Sequence, residues 1–293
     1  MNAPLDHPPI VVGVDASPTS EPALRWAITE ASTRRIPLKL VSAWNPSFDI
    51  DALGLATREV EDHCRAVLDH AREQVDATDP TIPVTTTTYI GPAQTALIAA
   101  SRDADTVVVG SRGLRPLRAL LIGATSLEVA AHAECPAVLV RETTAPRPGG
   151  RVVVGVDGSP QSAEAVAYGF SYASAHGVGL TVLHAFQVEY VAGVISDLSA
   201  EDSRTRAAQE ELVLTAEAVA GWREKYPDVD ATTVTSRAHP VDALVEASES
   251  AALVVIGGHR RGRIGGALLG GVGHGILHRA HCPVAVVRAP AHS

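Results

Sequence analysis

The sequence predicts an α/β protein with a parallel sheet, built twice over in one chain. Short runs of Val, Ile and Leu alternate with stretches of helical periodicity, an alternation that feeds parallel strands through crossover helices. The pattern that begins Ile10-Val-Val-Gly-Val-Asp15 starts again at Val152-Val-Val-Gly-Val-Asp157. A length of 293 residues accommodates two domains of ordinary size, and a 46% hydrophobic share is that of a core-forming chain, which excludes disorder throughout.

Ile10 to Val14 is an apolar run of strand length. Asp15 and a Ser-Pro turn follow. Glu21 to Ser32 reads as a helix because Leu24, Ala27, Ile28 and Ala31 share one face, with Ser20 placed to cap it. Leu38 to Trp44 is the second strand. Residues 45 to 60 have loop composition, whereas from Glu59 to Val75 the residues Val60, Cys64, Val67, Leu68, Ala71 and Val75 recur at helical spacing. Val84 to Ile90 is a Thr-rich third strand, Gln94 to Ser101 a short helix, and Thr106 to Val109 the fourth strand. A helix from Ala124 to Ala133 leads into a fifth strand that Pro136 opens. Thr143-Thr-Ala-Pro-Arg-Pro-Gly-Gly150 is a linker, so domains are expected over residues 1–144 and 150–293.

The second half repeats the first at fixed offsets. Ile10 to Pro18 recurs as Val152 to Pro160, and Leu38 to Trp44 as Leu180 to Phe186, each 142 residues on. Val107-Val-Val-Gly110 recurs as Val254-Val-Ile-Gly257, and Cys135-Pro136 as Cys282-Pro283, 147 residues on. The second half therefore carries five more residues between its second and fourth strands. This is a duplicated domain rather than a solenoid, and it puts Asp15 and Asp157 at one structural position.

The stretch from Val107 to Ser126 concentrates the chemistry. Three valines end at Gly110, Gly113 follows, and Gly123 opens a helix. Glycines let a backbone approach a ligand closely and helix N-terminal amides suit phosphate, although the same residues also serve a plain strand-to-loop turn. A formal charge of −9 argues against broad attraction to nucleic acid or to an anionic membrane. The first ten residues lack a basic segment followed by an apolar one, and no apolar run reaches the roughly eighteen residues of a membrane span, so a cytoplasmic location is expected. There is no G-x-x-x-x-G-K-[ST], and no G-x-G-x-x-G after the first strand, which leaves a P-loop NTPase and a dinucleotide-dependent dehydrogenase unsupported. Neither glycine loop contains lysine and no water-positioning base is apparent, so no enzymatic activity is expected.

The VVGVDxSP opening, the Leu-rich second strand, the VVVGSRG turn, the glycine thirteen residues after Gly110 and the Cys-Pro start of the closing strand together resemble the universal stress protein family, in its tandem form, from Ile10 to Arg288. The resemblance implies two tandem open five-stranded parallel-sheet domains of Rossmann-like type. In a subset of the family it implies ATP, with Mg2+ as its accompanying ion, at the carboxyl ends of the strands, the place expected of a topological switch point. It implies a regulatory role in stress or dormancy, unknown protein partners, and a motif that runs Gly, two residues, Gly, nine residues, Gly, then Ser or Thr.

Carried onto the first half, the motif falls on Gly110, Gly113 and Gly123, with Ala124 where a hydroxyl is expected and Thr125 and Ser126 leaving two hydroxyl donors beside the phosphates. Asp15 matches the residue that contacts the nucleoside, Ala43 lies near the base, and Arg112 is in reach of a phosphate. In the second half Asp157 and Ala185 take the places of Asp15 and Ala43, Gly257 and Gly270 match, Arg260 stands at the middle glycine beside His259, and Gly271, Val272 and Gly273 offer amides without hydroxyls. Weaker binding is expected there. In family members the closing strand often pairs across a two-fold axis, which Ala137 to Arg141 and Val284 to Arg288 can mimic within one chain, and a homodimer beyond that is expected. The alternative is a scaffold without useful nucleotide affinity that acts through dimerisation and protein contacts. The departures at Ala124, Arg260 and Gly271 favour it, and the intact Asp15, Gly110, Gly113 and Gly123 favour ATP.

Plainer roles stand beside these. Asp-x-Ser-Pro is ordinary turn chemistry. His274 and His278 share a helix face and His281 follows, yet no acidic third ligand accompanies them, and a solvated face explains them without a metal. Cys64, Cys135 and Cys282 are too few and scattered for disulfides and read as free, packed thiols. Trp26, Trp44 and Trp222 are too dispersed for a base-stacking platform and suit core or interface positions.

Overall fold

A computed structural model of the chain describes residues 7–44, 55–111, 122–141, 147, 149–186, 219–258 and 269–288, with backbone alone at 55–60 and 160–161. Two compact units result, and they part in sequence between residues 146 and 147.

In the first unit β1 (Ile10–Gly13), α1 (Ser20–Arg34), β2 (Leu38–Trp44), α2 (Leu55–Thr78), β3 (Val84–Ile90), α3 (Ala93–Ala100), β4 (Thr106–Gly110), α4 (Ala124–His132) and β5 (Ala137–Val140) follow one another. The strands lie in the order β3-β2-β1-β4-β5 and every pair is parallel. The second unit runs β6 (Val152–Val156), α5 (Pro160–His176), β7 (Leu180–Ala185), α6 (described over 219–225), β8 (Ala231–Ser236), α7 (Pro240–Ser248), β9 (Leu253–Gly257), α8 (Gly271–Arg279) and β10 (Val284–Val287). Its order, β8-β7-β6-β9-β10, is the same and again wholly parallel. The chain steps outward from the first strand, then returns to the first strand's other side. The strand order reverses there, and a crevice opens at the carboxyl ends of β1 and β4, and of β6 and β9.

The cores follow from the valine runs. Strands β1, β4, β5, β9 and β10 bury nearly every side chain, as strands covered on both faces do. Against them α1 buries Ala23, Leu24, Ala27, Ile28 and Ala31, while α2 buries Cys64, Leu68, Ala71 and Val75 at helical spacing. The helix α2 starts at Leu55, so residues 55–58, loop-like by composition, are helical; residues 45–54 lie outside the described ones. Ser20 is not the cap of α1. The cap position is Thr19, without a side-chain bond, and the Ser20 hydroxyl donates instead to the carbonyls of Asp15 (2.7 Å) and Ser17 (3.0 Å), tying the turn to the helix.

At the amino ends of the strands each unit carries an arginine clamp. Arg34 forks onto Asp105 with two bonds of 2.7 Å and reaches buried Glu30 at 3.4 Å; Arg151 binds Asp230 at 2.6 Å. All three cysteines are buried and free, and burial pushes the Cys135 and Cys282 thiols up to about 12, which keeps them protonated and inert. Trp26 is a core residue and Trp222 stacks on Phe170 and Tyr226. No helix among the described residues is long and apolar enough to cross a membrane.

Candidate functional site

At the crevice of the first unit, Asp15 follows β1. Its Oδ1 accepts from the Ser17 amide (3.1 Å) and the Ser17 hydroxyl (2.5 Å), and Ser17 Oγ lies 2.9 Å from Thr19 Oγ1. This is a side-chain turn of the kind Asp-x-Ser favours. Oδ2 carries no hydrogen bond among the described residues, so the turn occupies half of the carboxylate and leaves the other oxygen for a ligand. The turn and ligand roles of Asp15 are therefore compatible. In the second unit Asp157 is held more tightly, its Oδ1 accepting from the Ser159 amide (3.1 Å), the Ser159 hydroxyl (2.5 Å) and the Ser162 hydroxyl (2.6 Å).

Gly110 has a reason of its own to be glycine. A Cβ there would sit 2.4 Å from the Thr19 carbonyl oxygen, so the turn that leads into α1 already demands its absence. The Gly110 carbonyl accepts the Ser126 hydroxyl at 2.6 Å, and Ser126 is only 3% exposed. Of the two hydroxyls expected beside the phosphates, that of Ser126 is thus spent inside the protein; half-buried Thr125 remains. Gly123 donates to the Ser111 carbonyl at 2.7 Å, which brings the start of α4 to the end of β4. No side chain caps α4, whose first helical bond is Leu127 N–H to Gly123 C=O at 3.1 Å. The amides of Ala124, Thr125 and Ser126 therefore have no acceptor among the described residues.

The second unit repeats the arrangement around a cavity of about 250 Å³. Asp157 and Ser159 stand on one side, Gly270 to Gly273 on the other, and Leu183, Ala185 and Leu244 supply apolar wall between them. Here α8 likewise lacks a side-chain cap and makes its first helical bond from His274 N–H to Gly270 C=O at 3.0 Å. Around the missing Cβ atoms of Gly270 and Gly271 there is nothing within 4 Å among the described residues. Packing among the described residues does not ask for glycine at these two positions, which fits a cradle that a side chain would fill. Ala185 pairs with Ser236, as Ala43 pairs with Tyr89, so each small residue sits at the mouth end of its strand.

A carboxylate on one rim and a helix N-terminus on the other suit an elongated ligand with donor groups at one end and negative charge at the other. The uncapped amides carry partial positive charge, and the apolar wall suits a flat ring. Arg112, Gly113, His259 and Arg260 lie outside the described residues. The His274 and His278 rings are 4.5 Å apart, and among the described residues no three metal-binding side chains come together. Sequence reading missed Ser162, Pro240 and Leu244, and also His239, whose Nδ1 accepts the Val241 amide at 3.3 Å and caps α7 beside the cavity. Nothing in their local spacing marks them; only the placement of α5 and α7 against the sheet does.

The model of the universal stress protein family matches the chain twice, over residues 7–141 and 150–288. A universal stress protein of Mycobacterium tuberculosis (strain H37Rv) is 37% identical over 289 residues, covering 95% of this chain and 96% of the relative. Among solved structures, a universal stress protein from Archaeoglobus fulgidus covers 95% of this chain and 98% of its own with a TM-score of 0.70 at 18% identity. A universal stress protein solved in complex with cAMP covers 46% of the chain at 23% identity and a TM-score of 0.37. With the same strand order in both units and a family match to each half, the chain belongs to the universal stress protein family, in its tandem form.

Proposed function

We propose that this protein binds an adenine nucleotide, ATP with Mg2+ as its accompanying ion, at both crevices, and that occupancy regulates its association with other proteins in stress or dormancy. One observation carries the reading: in the second unit an aspartate carboxylate and a helix N-terminus without a side-chain cap line one cavity, and the first unit carries the same pair of elements, Asp15 after β1 and α4 after β4. The aspartate takes donors of the ribose, the amides of residues 124–126 and 271–273 take the phosphates, and Ala43 and Ala185 leave room for the base. The role is binding rather than catalysis, in the cytoplasm, by domains spanning residues 1–144 and 150–293, in a chain that also forms a homodimer. The first crevice is the stronger of the two, since it keeps Thr125 as a hydroxyl donor.

The test is direct: measure nucleotide that co-purifies with the protein, and titrate fluorescent ATP against it. Saturable binding with up to two nucleotides per chain is expected. No saturable binding at millimolar ATP overturns the reading and leaves the scaffold role, which the internal engagement of the Ser126 hydroxyl favours.

A further inference from the structure

The edge strand β3 is left open in a way that β8 is not. Pro83 accepts from the Leu38 amide at 2.9 Å, and β2 and β3 run in parallel register from Leu38 opposite Val84 to Trp44 opposite Ile90. In a parallel ladder alternate residues turn both backbone groups to the neighbour, so Thr85, Thr87 and Tyr89 serve β2 while Val84, Thr86, Thr88 and Ile90 turn theirs outward. None of those four outward residues has a backbone partner among the described residues. On β8 the equivalent edge is partly closed, because Arg223 donates to the Ala231 carbonyl at 2.6 Å. Proteins ordinarily blunt such edges with charge, proline or a bulge, and Val84-Thr-Thr-Thr-Thr-Tyr-Ile90 carries neither charge nor proline. Thr86, Thr87 and Thr88 are exposed, and Ile90, at 58% exposure, is the most exposed large apolar side chain among the described residues.

We propose that β3 is the contact through which two copies of this chain associate, by antiparallel pairing across a two-fold axis at Thr87. The sequence matches itself about that point. Thr86 falls opposite Thr88 of the second copy, Val84 opposite Ile90, and Thr85 opposite Tyr89, so threonine meets threonine and the two apolar ends meet each other. The parity is also right, since every outward-turned residue falls opposite another outward-turned residue and both ladders close. A chain of net charge −9 repels its own copies over most of its surface, and an uncharged strand is where they can touch. The self-match favours a second copy over an unrelated extended peptide. This inference rests on the homodimer in the function proposed above and is independent of nucleotide.

The two-fold axis puts Thr87 beside its own copy as a non-hydrogen-bonded pair, with Cα atoms about 4.5 Å apart, a separation a disulfide spans. In the full-length chain, Thr87→Cys is expected to form a covalent dimer on mild oxidation. Thr86→Cys alone is not, yet it crosslinks when mixed with Thr88→Cys; wild type, whose cysteines are buried, provides the background. Thr88→Pro removes an outward N–H without touching the β2 ladder and is expected to weaken the dimer at least tenfold in sedimentation velocity, with an unchanged circular dichroism spectrum. A dimer that gives no Thr87→Cys crosslink and ignores Thr88→Pro overturns this assignment while leaving the homodimer intact. A wild type that stays monomeric at every concentration overturns both.

Discussion

The crevices at β1/β4 and at β6/β9 have one framework and two kinds of glycine. At Gly110 the chain itself forbids a side chain, because the Thr19 carbonyl occupies the space, whereas Gly270 and Gly271 look onto nothing among the described residues. One motif position thus answers to folding and two others to whatever fills the cavity. A second contrast runs the other way. Asp157 is tied by at least three donors, from Ser159 and from Ser162 on α5, and Asp15 by two, both from Ser17, so the first crevice has the looser carboxylate and the second the looser cradle.

Replacing these residues in pairs breaks or sharpens the comparison. The largest effect is expected of Gly110→Ala, which forces the α1 turn to move and should cost about 1–3 kcal/mol in urea unfolding, against almost nothing for Gly270→Ala; equal costs would mean that the contrast between the glycines is false. Next, Asp15→Ala and Asp157→Ala should each lower nucleotide affinity roughly tenfold or more at the altered crevice, the loss expected when a charge-assisted hydrogen bond goes, with Asp15 the more damaging. The reverse order in a fluorescent ATP titration would make the second crevice the principal one. Ala124→Ser restores the missing hydroxyl and should tighten the first crevice severalfold, while Gly271→Ala should stabilise α8 by up to about 1 kcal/mol and weaken the second. The smallest effects concern the helix ends. Arg35, at φ 54, closes α1 where Gly177, at φ 61, closes α5, so Arg35→Gly should raise and Gly177→Ala should lower stability, each by about 1 kcal/mol or less, read from thermal melts.

What the sequence made legible is what short range determines. Val107 to Gly110 and Val254 to Gly257 are strands because their neighbours along the chain say so, and the offsets of the repeat carry the topology from one half to the other. The true start of α2 was hidden because Leu55-Ala-Thr-Arg58 has no repeating apolar face of its own. The site was legible as a set of residues but not as a set of roles. Gly110 owes its identity to a carbonyl roughly ninety positions earlier, and the Ser126 hydroxyl turns inward to a carbonyl sixteen positions back, relations that no local pattern records. For the same reason β3 looked like any Thr-rich strand until its place at the end of the sheet was known.

The bond from the Gly123 amide to the Ser111 carbonyl pins the two ends of the glycine stretch together at 2.7 Å. Because both partners of that bond are main-chain groups, the spacing between the end of β4 and the start of α4 is held by the backbone itself, and side-chain substitutions at Thr125 or Asp15 change the chemistry of the first crevice without changing that spacing.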